Sequence, residues 1–361
     1  MLHDMRNTST FGNSLLTRAL DALRERLPDR WLLSRATREP RGTGYRPDAL
    51  LEVRGPDGAR TVIVVEAKSS VTAAEAAALG PRLDAAAREN KAATAMVVTD
   101  YLSPLARERL SAAGVSYLDL TGNVRVSLNR PGLFIETSGA DRDPSPQRRD
   151  SRSLKGGSAA RIVRALCDWK PPVGVRELAR RAGTDPGYAS RILTLLERED
   201  VITRDRKRWV TTVKWKDLLR RWAADYAVAR TNRAVEYLEP RGLDALLRRL
   251  RGYRGKRALT GSSGVPREAA VAPTRVISCY VERPEQAAAD LGLREVESGS
   301  NVLLLEPFDS VIWQRTHEED GLTCVAVSQC AVDLLTGRGR EPSEAEALFT
   351  WMARNENAWR A

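Results

Sequence analysis

Leu15, Leu16, Ala19, Leu20, Leu23 and Leu27 share one face at helical spacing, which predicts an amphipathic helix over 14–27. Two extended runs follow, 49–54 and 61–68, separated by the turn signal Gly55-Pro56-Asp57-Gly58. The second, Thr61-Val62-Ile63-Val64-Val65-Glu66-Ala67-Lys68, is short and β-branched, the pattern of a buried strand, until charge appears at its end. An alanine-rich helix is expected over 72–90, a strand over 93–99, and a helix over 103–113 stopped by Gly114. Short strands at 116–120, 124–128 and 133–136 complete an α/β unit over 1–138.

From 139 to 157 the apolar pattern gives way to charged, serine- and proline-rich sequence, the composition of a flexible linker. Beyond it Ser158 is placed to cap a helix running to about 168, with Ile162, Val163, Leu166 and Cys167 turned inward. A second short helix, 175–182, ends at Gly183. Thr184 or Asp185 then caps a third, with Pro186 in its first turn and Ala189, Ile192, Leu193 and Leu196 inward. Strands at 201–203 and 209–213 flank a basic tip, Arg204-Asp205-Arg206-Lys207-Arg208, and close a region over 158–214. The remainder, 215–361, is expected to open with helices over 218–238 and 243–250. It continues through strands at 276–281, 302–305, 311–314 and 323–327, and ends in a helix over 347–359 introduced by a Ser343/Glu346 capping box. This last region is α+β, and the chain as a whole is an α/β multidomain protein without internal repeats.

Composition narrows the class. A chain that is 42% hydrophobic and 29% charged is globular, not disordered. No apolar run approaches the roughly 20 residues that span a bilayer, and residues 1–10 lack the apolar core of a secretion signal. Cys167, Cys279, Cys324 and Cys330 show no CxxC pairing and are accompanied by only two histidines, His3 and His317, which argues against a zinc site or a disulfide framework. These features point to a cytoplasmic protein with no membrane partner. Charge is segregated: residues 151–257 hold 27 Lys and Arg against 12 Asp and Glu, a net of +15, and the rest of the chain nets −4. A localised positive field of that size points to a polyanion, above all nucleic acid, although a solvated basic surface has the same composition.

The candidate chemistry lies outside the basic third. Glu66 and Lys68 are two apart on a strand and so project from one side, with Val62 and Val64 behind them. Burying an unpaired charge is costly, so these two need partners; a partly exposed ion pair is one answer and a metal site another. Pro47-Asp48, then 17 residues, then Glu66-Ala67-Lys68 at a strand end resembles the PD-(D/E)xK endonuclease superfamily, and the order of helix, strands and crossover helix agrees. The resemblance implies a restriction-endonuclease-like α/β fold in which Asp48 and Glu66 ligate Mg²⁺ and Lys68 is the catalytic residue that orients the attacking water or stabilises the phosphorane charge. Hard oxygen ligands suit Mg²⁺, which keeps waters for use as nucleophile. The same fold also occurs as an inactive DNA-binding scaffold. Glu25 is a candidate outer-shell carboxylate, and Asp119 or Asn123 a candidate to face the same cleft.

Three helices with a tight turn before the third, followed by a hairpin, resemble the winged helix-turn-helix of bacterial regulators. That resemblance implies a third helix in the major groove, with Tyr188, Ser190 and Arg191 contacting bases or phosphates, and a wing (Arg204, Arg206, Lys207, Arg208) lying over phosphates or in the minor groove. Arg191 could pair bidentately with guanine. Winged helices also serve protein contacts, an alternative against which the local charge argues. Downstream, Gly261-Ser262-Ser263-Gly264 and the strand after it resemble a nucleotidyltransferase Gly-Ser loop, but the paired aspartates are missing and only Glu282 is near, so this region looks degenerate. Residues 158–361 together resemble the AbiEi-type antitoxins and regulators, which implies promoter DNA as partner and adds a cognate toxin or self-association. Two readings compete: a sequence-specific transcriptional regulator of antitoxin type on double-stranded DNA, and a Mg²⁺-dependent DNA endonuclease of defence or repair.

Overall fold

Helix α1 (Met5–Arg24) leads into a seven-stranded sheet in the computed structural model, which describes residues 5–36, 45, 47–144 and 153–361. The chain divides into two units, Met1–Asp150 together with Arg198–Asp200, and Ser151–Glu197 together with Val201–Ala361. Residues 145–152 of the expected linker lie outside the described residues.

In the first unit β1 (Leu32–Arg35), β2 (Ala49–Arg54), β3 (Arg60–Ala67), β4 (Thr94–Thr99), β5 (Ser116–Asp119), β6 (Val124–Leu128) and β7 (Leu133–Thr137) lie side by side in sequence order. β3, β4 and β5 are parallel, and every other neighbouring pair is antiparallel. The crossovers are α2 (Ala73–Glu89) and α3 (Pro104–Ala112). Both faces of the parallel centre are covered, which is why β3 and β4 read as unbroken apolar runs. Alternation along the strands sends Ile63, Val65, Met96 and Val98 to a core with Leu15, Leu16, Ala19 and Leu23 of α1. It sends Leu50, Val64, Val97 and Tyr117 to a second core with α2 and α3. The helix starts were legible: Thr72 and Glu75 form a capping box at α2, and Ser103 caps Ala106 at α3. β1, which buries only Leu33, had no sequence signal.

The second unit opens with α4 (Gly157–Asp168), α5 (Val175–Ala182) and α6 (Pro186–Arg198), then the hairpin β8 (Ile202–Arg204) and β9 (Val210–Val213). Gly156, not Ser158, stands at the α4 N-cap. A bridge from Val173 to Val210 ties the α4–α5 connection to the hairpin. After α7 (Trp215–Ala223) and α8 (Val228–Thr231), the helix expected to reach 238 is replaced by strand β10 (Arg233–Leu238). Then come α9 (Leu243–Gly252), β11 (Arg257–Thr260), β12 (Ile277–Val281), α10 (Pro284–Leu291), β13 (Arg294–Glu295), β14 (Val302–Glu306), β15 (His317–Glu319) and β16 (Leu322–Cys324). They form a curled mixed sheet in the order β13-β10-β14-β12-β11-β16-β15. Its α9/α10 face buries Leu246, Leu250, Ala287, Leu291, Cys279, Val281 and Leu304.

Three further expectations fail here. Residues 311–314 fall in and just after a 3-10 turn, Ser310–Trp313, whose first free N–H is taken by the Asp309 carboxylate. The strand expected over 323–327 stops at Cys324, and helix α11 (Val327–Leu335) takes over at Val327. The last helices are α12 (Glu341–Arg354) and α13 (Glu356–Trp359), so Ser343 and Glu346 lie inside α12 and form no capping box; Glu346 binds Arg220. No helix among the described residues is long and apolar enough to cross a membrane. All four cysteines are free and buried.

Candidate functional site

The C-terminal ends of the parallel strands β3, β4 and β5 form the edge at which an open α/β sheet offers a binding crevice. Glu66 leaves β3 on the α2/α3 face, as its even spacing from Val62 and Val64 requires, and is buried there at 7% exposure. Lys68 follows on the same side, half-exposed, with Nζ 3.4 Å from Glu66 Oε1. Asp48 arrives from the neighbouring strand: its N–H donates to Val65 O at 3.0 Å, and its exposed carboxylate accepts the Ala67 N–H through Oδ2 at 2.8 Å. The three residues singled out in the sequence therefore meet at one strand end.

Burial pushes the Glu66 carboxyl above its ordinary range; the neighbouring Tyr45 hydroxyl opposes this, Asp48 adds to it, and Lys68 opposes it. The Tyr45 hydroxyl is buried beside the Glu66 carboxylate, and that burial raises its own pKa. A carboxylate so placed, facing a second one, favours a cation. The donor set fits Mg²⁺, which is commonly held by one or two carboxylates with waters and phosphate oxygens completing its shell. Those other ligands would be needed, since no group of three or more His, Cys, Asp or Glu suited to a metal occurs among the described residues.

The outer-shell expectations fare differently. Glu25 lies just beyond α1, which packs on the opposite face of the sheet from Glu66, so it does not join this site. Asp119 is fully engaged in its own turn, accepting from the N–H groups of Leu102, Thr121 and Asn123 and from the Thr121 hydroxyl and Asn123 amide. Asn123 in turn accepts from Arg107 and Gly139. Both are structural.

The second candidate surface is on the helices and hairpin of the other unit. Gly183, left-handed at φ 57°, ends α5, and the Asp185 carboxylate caps α6 by accepting the Tyr188 N–H at 3.0 Å. Burial of Ala189, Ile192, Leu193 and Leu196 turns the other face of α6 outward. Arg191 is exposed there with its guanidinium 5.6 Å from the Tyr188 ring centroid, and Ser190 lies beside it, part-exposed. At the hairpin tip Asp205 closes the turn by accepting the Trp209 N–H, leaving Arg206, Lys207 and Arg208 in solvent. Arg204 is different: its side chain is only 1% exposed and is bound to Glu197, whose carboxyl it holds below the ordinary range. Arg204 fastens the hairpin to α6 and is unavailable to a ligand, while Arg208 reaches Glu197 at 3.4 Å and stays mostly exposed. Sequence reading missed Trp209, which is 46% exposed directly after the basic run; an aromatic next to three cations was the available signal.

The Gly261–Gly264 turn sits among carboxylates that only the fold could bring there. Ser262 Oγ donates to Glu344 at 2.5 Å, its N–H faces Glu341, and Thr260 donates to the buried Asp333. Each of these groups is satisfied internally. No family model matches the chain and no curated protein matches it, so geometry alone carries the functional reading.

Proposed function

We propose that the protein binds double-stranded DNA through a winged helix-turn-helix formed by α4 to β9, and acts as a sequence-specific transcriptional regulator of antitoxin type. The observation that carries this is the exposed N-terminal half of α6, with Tyr188, Ser190 and Arg191 on its outer face, beside a hairpin tip of Arg206, Lys207 and Arg208. A helix whose first turns face outward beside a basic tip suits a major groove flanked by phosphates. The tip residues would position the protein without reading sequence, and Trp209 would add an apolar contact to sugar or base. Arg191 would specify, since a guanidinium can pair bidentately with guanine. Arg191→Ala is expected to weaken binding to the preferred site by about 1–3 kcal/mol while leaving binding to random duplex nearly unchanged. Selected-site enrichment followed by titration measures both, and equal loss on both DNAs removes base reading from Arg191.

The meeting of Asp48, Glu66 and Lys68 supports a second reading, Mg²⁺-dependent cleavage of DNA. In it Asp48 and Glu66 hold the ion, which supplies Lewis acidity and a bound water. Lys68 stands ready to offset negative charge on a phosphodiester oxygen. Incubation of bound duplex with and without Mg²⁺, using wild-type and Glu66→Ala protein, separates the readings. Mg²⁺-dependent strand breaks lost in the variant establish cleavage; intact DNA in every arm with unchanged binding leaves the regulator alone.

A further inference from the structure

Many arginines of the second unit are neutralised by carboxylates, among them Arg220 by Glu346, Arg233 by Glu285 and Glu306, Arg338 by Glu236 and Arg249 by Glu239. One cavity gathers several that are not. It lies between the C-terminal end of α9, the loop into β11 and the start of α10, with a volume of about 560 Å³. Arg248, Arg254 and Arg283 line it, and none of their side chains has a hydrogen bond or ion pair among the described residues. Lys256 adds a fourth cation, resting on the Trp313 ring at 4.8 Å instead of on a carboxylate. Against these stand Glu282 and Asp290, the latter engaged by Gln286 at 2.8 Å.

Like charges gathered in a concavity repel one another, so the cluster is favourable only with an anion among them. Guanidiniums with free donors are the groups best suited to phosphate oxygens. Beyond Lys256 the stacking of cations on indoles goes on toward α5. Arg315, two residues from Trp313, stacks on Trp169 at 5.1 Å, and Trp169 also carries Arg181 of α5 at 5.6 Å. Residues 313–315 are fixed between these stacks, because buried Arg164 donates to Gln314 O at 3.0 Å. Cations braced on indoles thus run from the helix pair of the proposed DNA reader to the cavity.

We infer that the cavity lined by Arg248, Arg254, Lys256 and Arg283 is a phosphate-binding site. The phosphates come either from the backbone of a duplex held by α6 or from a free polyphosphate. The first source rests on the DNA reading proposed above; the second does not. The test uses the full chain and the exposed triple variant Arg248→Gln/Arg254→Gln/Arg283→Gln, with thermal unfolding as the check on folding. For the duplex arm, affinity is measured from low to high salt. Each phosphate contact contributes about 0.9 to the slope of log K against log salt, so the triple variant is expected to flatten it by about 2–3. For the free arm, inorganic tripolyphosphate is titrated calorimetrically without DNA, with at least tenfold weaker binding expected in the variant. A change in either arm supports the site and names its source. An unchanged slope together with unchanged or absent tripolyphosphate binding overturns it. Wild-type protein that ignores duplex but takes up tripolyphosphate at this cavity would refute the DNA reading and leave the site standing.

Discussion

At Asp333 burial and hydrogen bonding pull in opposite directions. Thr260 and Tyr280 donate to Oδ2, and Tyr226 and Gln329 donate to Oδ1, four donors on one enclosed carboxylate. Burial outweighs them and pushes the carboxyl up to about 6. An acid raised by folding holds its proton in the native state at pH values where the unfolded chain has lost it. Its contribution to stability is therefore largest at low pH, falls as pH rises from about 4 to about 6, and is flat above. The margin of wild type over Asp333→Asn is expected to be about 1 kcal/mol larger at pH 5 than at pH 8. Urea unfolding of both proteins at the two pH values measures it; a margin that grows with pH contradicts the assignment. Asp333 could not be picked out in the sequence, because its partners lie on β11, β12 and the α7–α8 connection. Asp48, Glu66 and Lys68 could, because Glu66 and Lys68 stand two residues apart at one strand end and Asp48 is one hairpin away.

Elements were legible where local chemistry decided them. α5 was read at both ends from its apolar spacing and from Gly183, and α6 from Asp185 and Pro186. The α2 and α3 caps were equally local. The failures are segments whose state depends on distant partners. β10 has the alternation of a strand, but it followed helical sequence, and its ladder is with β14, some 70 residues on. α11 is buried along nearly its whole length, from Val327 to Leu334. A short run buried on every side has no polar stripe, so periodicity cannot distinguish it from a strand. Arg204 shows the same limit within a site: it stands in a basic run, yet Glu197 on α6 captures it and leaves the neighbouring cations to face outward.

At the scale of the second unit, the helices of the proposed reader are not separable from the sheet that follows. Arg164 of α4 is 1% exposed and donates to Asp168, to Gln329 Oε1 and to the carbonyls of Val311 and Gln314. Asp168 also accepts from Ser328 of α11. Arg164→Ala would leave a buried carboxylate and several acceptors without donors, a loss expected to cost about 3–5 kcal/mol, whereas replacing the pair together by Arg164→Met/Asp168→Leu should cost much less. Denaturant unfolding of the two variants tests this, and a single-variant loss below about 1 kcal/mol would show the ion pair to be incidental.

The same node bears on how such a protein could be rebuilt. A reader that shares a buried guanidinium with the body behind it is not a portable cassette. Fused to another scaffold, residues 153–214 would carry Arg164 and Asp168 to a new neighbour lacking Gln329 and Ser328. New binding specificity is therefore more readily installed by exchanging the outward residues of α6 in place than by transplanting the helices.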